Sequence, residues 1–109
     1  MRGETDPDEF PDLDSVDLVT VLQALSDPVR LEIVRQLAGC CDGGELACGQ
    51  IALPVAKSTA SHHLKTLVRA GVVAHRDEGT RRYMSLRRAE LERRFPGLIE
   101  SVLRAAGAG

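Results

Sequence analysis

The stretch KSTASHHLKTLVRAG, Lys57 to Gly71, runs directly into VVAHRDEGTRRYMSL, Val72 to Leu86. Wound at about 100° per residue, the first part gathers Ala60, Leu64, Leu67 and Val68 on one side and Ser58, His62, Lys65 and Arg69 on the other. The apolar set reads as a core stripe. The polar side carries hydrogen-bonding groups in its N-terminal half (Lys57, Ser58, Thr59, Ser61, His62), with the cations Lys65 and Arg69 further along. That order suits a helix entering a DNA major groove N-terminus first, with short groups at base edges and cations at phosphates. A solvated amphipathic helix is the alternative, since most polar helix faces point at water.

The second part favours the nucleic-acid reading. Val72 to Arg76 and Arg81 to Leu86 are short strand-like runs, and Asp77-Glu78-Gly79-Thr80 between them supplies Gly79 for a positive-φ turn position. The result is a two-stranded antiparallel hairpin with a basic rim, on which Arg76, Arg81 and Arg82 can straddle a phosphate backbone or enter a minor groove.

Working outward, Ser26-Asp27-Pro28 is a helix start: Asp27 can cap the open amides, and Pro28 occupies the first turn, where its missing N–H costs nothing. The helix that follows carries Leu31, Val34, Leu37 and Ala38 on its expected buried side and ends at Gly39. A further short helix is expected over about Glu45 to Ala52, and Pro54 makes the turn into the Lys57 helix. The fold class is therefore mainly α with a small β-hairpin: a winged helix-turn-helix of about five helices and a two-stranded wing.

The chain resembles the ArsR/SmtB family of small prokaryotic winged-helix regulators. Carrying the likeness are Ala24-Leu25-Ser26-Asp27-Pro28-Val29-Arg30-Leu31, Ser58-Thr59-Ala60-Ser61-His62-His63-Leu64-Lys65, Leu67, Ala70-Gly71-Val72-Val73, and Glu78-Gly79 with Tyr83 and Leu86, within a span from about Val16 to Leu91. The resemblance implies a homodimeric, operator-binding transcriptional regulator, commonly a repressor released by a metal ion or a thiol-reactive signal.

Composition bounds the remaining possibilities. The 109 residues, 43% hydrophobic, amount to one domain with a modest core that dimerisation would help stabilise. With no signal peptide and no apolar run of membrane-spanning length, a cytoplasmic location is expected. The formal net charge of −2 hides a strong asymmetry. Residues 1–17 hold seven acids against one arginine, a balance of −6, whereas residues 57–88 hold eight Lys/Arg against two acids, a balance of +6. A local basic face, rather than a basic total, is what releases counterions from DNA. The chain accordingly divides into an acidic arm at 1–14, expected to be disordered, a DNA-binding and dimerisation domain at 15–106, and a flexible tail at 107–109. The arm reads either as a solubilising segment or as an internal DNA mimic competing for the basic face.

Val16, Val19 and Leu22 near the start of the domain, with Leu91, Phe95, Leu98, Ile99 and Val102 near its end, offer more apolar surface than so small a chain easily buries. They are assigned to a dimer interface, the alternative being that both helices only close the core of one subunit. Pro96-Gly97 should kink or restart the last helix. In the resembled family, subunits pair through these terminal helices, and twofold symmetry sets two recognition helices one DNA turn apart on a near-palindromic operator.

Three cysteines, Cys40, Cys41 and Cys48, are the candidate effector residues. One thiolate site familiar in the resembled family is a Glu-Leu-Cys-x-Cys stretch. Here it reads Glu45-Leu46-Ala47-Cys48-Gly49, so Ala47 and Gly49 fill the ligand positions. Another uses histidines on the last helix, yet no histidine follows His75. Three possibilities stay open. Cys40 or Cys41 could join Cys48, Asp42, Glu45 or a second subunit in a mixed site suited to Zn, Ni or Co. The thiols could form an oxidation or persulfide switch, or be inert and leave control to another effector. No phosphate loop, HExxH motif or nucleophile setting suggests an enzyme or a small-molecule substrate. The competing class is a winged helix used for protein–protein contact without specific DNA binding.

Overall fold

A computed structural model describes residues 15–39, 45–47 and 50–106. The arm at 1–14, the tail at 107–109 and the cysteines Cys40, Cys41 and Cys48 lie outside the described residues.

Helix α1 (Leu18–Leu25) starts where the Asp17 carboxylate accepts the Thr20 amide at 3.0 Å and the Thr20 hydroxyl at 2.6 Å. Helix α2 (Pro28–Gly39) opens as its sequence dictates, with the Asp27 carboxylate accepting the Val29 and Arg30 amides at 2.8 and 3.1 Å. Its buried side is centred differently from expectation. Val34 and Leu37 are inside, but Ile33 joins them, while Leu31 and Ala38 are half-buried flanks. Apolar residues spread over a wide arc of this helix, so spacing alone does not fix its centre; the packing of α1 and α3 does.

Glu45 to Ala52 departs from expectation more sharply. Glu45–Ala47 forms strand β1, and no α-helix occurs among the described residues of that stretch. Glu-Leu-Ala favours a helix locally, but pairing with an open sheet edge satisfies its backbone groups and buries Ala47, and the tertiary gain prevails. Gln36 secures the following segment, its amide donating to the Ala52 carbonyl at 2.7 Å and accepting the Ala52 amide at 3.0 Å.

Helix α3 (Lys57–Arg69) leads into strands β2 (Val73–Glu78) and β3 (Arg81–Leu86). Gly71, at φ +82°, ends α3: its amide donates to Val68 O and the Val72 amide to Leu67 O, each at 3.0 Å. This is the paired hydrogen bonding of a Schellman motif, and its usual apolar partners, Leu67 and Val72, are both fully buried. Register places Glu78 opposite Arg81, leaving Gly79-Thr80 as a two-residue turn with Gly79 at φ +63°. With β1 on the other side of β3, the expected two-stranded wing is an antiparallel three-stranded sheet in the order β1-β3-β2. Helices α4 (Arg88–Arg94) and α5 (Leu98–Ala105) follow, separated by the expected break at Pro96-Gly97.

One continuous core joins all these elements, with Val21, Ile33, Leu37, Leu67, Met84 and Leu91 among its most buried members. The architecture is a winged helix-turn-helix, mainly helical, as the sequence indicated.

Candidate nucleic-acid interface

Burial along α3 follows the two sides read from the sequence. Leu67 and Val68 are buried, with Ala60 and Leu64 half-buried beside them, whereas Lys57, Ser58, Thr59, Ser61, His62, Lys65 and Arg69 are all exposed. The residue before the helix, Ala56, is extended and has no side chain to cap with. The first-turn amides therefore face outward without a side-chain acceptor, adding partial positive charge where Lys57 and Ser58 already stand.

A node of side chains built on Arg30, to which sequence reading gave no role, fixes this helix. The Arg30 guanidinium donates to Ala24 O at 2.7 Å and Gln23 O at 3.2 Å, closing the C-terminus of α1. Its Nη1 also lies 3.3 Å from His63 Nδ1 on α3. Asp27 completes the node, its carboxylate 3.9 Å from the same nitrogen. His63 is therefore a packed residue joining three helices, while His62, edge-on to it at 6.0 Å between ring centroids, faces solvent.

The wing is less uniformly available than its arginine count suggested. Arg76 donates to Glu45 at 3.0 Å and Glu78 at 2.6 Å, and its guanidinium lies 4.7 Å from the Tyr83 ring centroid. These hydrogen bonds raise its pKa further and lower that of Glu45. Arg82 donates to Asp77 at 2.7 and 3.2 Å and depresses its carboxyl pKa. Arg81, beside the turn, is exposed, and its side chain makes no hydrogen bond or ion pair among the described residues. The register that sets Asp77 against Arg82 could have been read from the hairpin spacing; the reach of Arg76 to Glu45 could not, because it depends on β1.

The terminal apolar residues divide. Val16, Leu91 and Ile99 are buried inside one subunit, so these three members of the expected interface have little surface left to offer a partner. They sit where the helices turn toward the shared core. Val19 and Leu22 are 58% and 42% exposed, as is Leu18 at 44%, while Phe95, Leu98 and Val102 are half-buried.

The residues do not fit the metal sites familiar in the resembled family. Ala47 is a buried strand residue paired opposite Tyr83, and its methyl offers no donor. Among the described residues, no group of three or more His, Cys, Asp or Glu side chains converges. No helix among them is long and apolar enough to cross a membrane.

An exposed polar helix beside a basic-tipped sheet, both mounted on a helical core, defines the class: a winged helix-turn-helix protein. Comparisons agree. Residues 25–76 match a helix-turn-helix domain family. Over 84 residues the chain is 39% identical to the uncharacterised HTH-type transcriptional regulator YceK of Bacillus subtilis, covering 75% of this chain and 82% of that one. It is 46% identical over 66 residues to the HTH-type transcriptional regulator Rv2034 of Mycobacterium tuberculosis, covering 59% of this chain and 58% of the relative. An uncharacterised HTH-type regulator of Methanocaldococcus jannaschii, MJ1325, is 41% identical over 61 residues, 55% of this chain and 66% of its own. The chain belongs to the helix-turn-helix transcriptional regulators.

Proposed function

We propose that this chain is an effector-responsive repressor of the ArsR/SmtB type, binding a near-palindromic double-stranded operator as a homodimer with α3 in the major groove and the sheet tip on the flanking backbone. The observation that carries the reading is the exposed face of α3. Ser58, Ser61 and His62 supply short donors and acceptors, and Lys65 and Arg69 supply cations behind them. Dimerisation is supported by the exposed Leu18, Val19 and Leu22, an apolar group on one helix that a lone subunit leaves in water.

Selection of a preferred duplex from random sequence, followed by competition against mixed genomic DNA, tests this. Changing Ser61 and His62 together to Ala should weaken preferred-site binding by about 1–3 kcal/mol per lost base contact and leave the thermal unfolding profile in place. Undiminished preference in the double variant would remove α3 from base reading. A flat affinity between about 50 and 200 mM salt would instead assign the face to protein contact.

For the effector, the reading is a signal taken up at Cys40, Cys41 or Cys48, either a transition ion such as Zn, Ni or Co or a thiol-reactive species. Calorimetry of the reduced protein with each ion, with and without operator, tests the metal branch. Regulation requires unequal affinity for the two states, not merely binding.

A further inference from the structure

Every Asp and Glu among the described residues already accepts a hydrogen bond, from a helix-start amide, from Gly97 N or from an arginine. The cations are in surplus: the described residues hold thirteen Lys/Arg against nine acids, a balance of +4. The side chains of Lys57, Lys65, Arg69 and Arg81, on the α3 face and the wing tip, are exposed and make no hydrogen bond or ion pair among the described residues, as is also true of Arg93 on α4 and Arg104 on α5. The opposite surplus lies in residues 1–14, where six acids face only Arg2, a balance of −5.

We infer that this acidic segment docks on the α3 face and wing tip, occupying the surface that would otherwise take DNA. The inference rests on α3 being the DNA-facing helix. Reach permits the contact: fourteen residues span up to about 48 Å when extended, and the longest dimension of the molecule is 39 Å. Chemistry favours it, because carboxylates suit the uncapped amides of the first α3 turn as phosphates do, and the cations beside them pair with no acid among the described residues. Tethering keeps the arm at an effective concentration of order millimolar, so a weak contact competes with dilute DNA. Affinity and selectivity would both respond, since non-specific duplex is displaced more readily than an operator making base contacts.

The test uses the full chain carrying Glu4→Gln, Asp6→Asn, Asp8→Asn, Glu9→Gln, Asp12→Asn and Asp14→Asn. Without DNA, at low ionic strength, backbone amide resonances of Ser58 to Arg69 and of Arg81 should differ between this variant and the unaltered chain. The difference should fade toward about 0.5 M salt as screening shortens the Debye length. Changes confined to residues 1–17, or mapped to another face, would overturn the inference. Against mixed-sequence duplex, the neutral-arm variant should bind on the order of tenfold more tightly at low salt, with the gap closing as salt rises. Equal affinities would overturn the competition. If neither chain binds duplex yet the α3 shifts appear, the DNA reading fails and the arm contact stands.

Discussion

Asp27 shows how much one side chain can settle. Its carboxylate starts α2 through two backbone amides, and the hydrogen bond from Arg30 N is the main cause of its lowered pKa. Replacing it by Ala should destabilise the fold, measured as a lower urea midpoint with an unchanged slope. Glu32, gripped by Arg35 at 2.6 Å and by Gln36, is held at about 2 instead of its ordinary 4.5. A depressed carboxyl stabilises the fold above its unfolded pKa and loses that contribution as pH falls through the folded one. The melting-temperature gap between the unaltered chain and Glu32→Gln should therefore be full above pH 4.5 and shrink toward pH 2. A gap independent of pH would remove the Arg35 pair as its source. The Asp27 cap was legible because capping is local in sequence. The Arg30–His63 contact spans 33 residues and depends on how three helices meet, so no spacing rule announces it.

At the scale of elements, α3 and the hairpin could be read because each carries its own period and its own glycine. Gly71 holds a positive φ that alanine adopts only with strain, so Gly71→Ala should destabilise the protein by about 1–2 kcal/mol, read from denaturant unfolding. The wing arginines should separate in a salt titration. Arg81→Ala should reduce the slope of log affinity against log salt by about one unit. Arg82→Ala should change it less, because Arg82 must first leave Asp77. Equal slopes for both variants would show that the hairpin pairing does not govern availability. Strand β1 was not legible: three residues are too few to show a period, and their assignment comes from the edge of β3 rather than from themselves.

For the whole molecule, the terminal apolar residues divide between the two readings the sequence left open. Apolar periodicity marks a residue as wanting cover; it does not say whether its own chain or another supplies it. Ile99 is covered within the subunit, whereas Val19 and Leu22 are not. On the proposed dimer, where the unaltered chain sediments as two subunits, Glu at both Val19 and Leu22 should give folded monomers, while Ile99→Glu should unfold the chain by burying an unpaired charge. A persistent dimer in the Val19/Leu22 variant would move the interface elsewhere.

Between the end of α3 at Arg69 and the start of β2 at Val73 the chain has almost no slack. Gly71 and Val72 bond back into the helix, and the Val72 carbonyl accepts the Arg87 amide at 2.9 Å just beyond the sheet. Helix and wing are therefore joined through a short, hydrogen-bonded corner at Gly71. Movement of that corner would be carried along the hairpin to Arg81 at its far end. On the proposed DNA-bound arrangement, a signal that moved this corner against α2 would disturb the α3 face and Arg81 together.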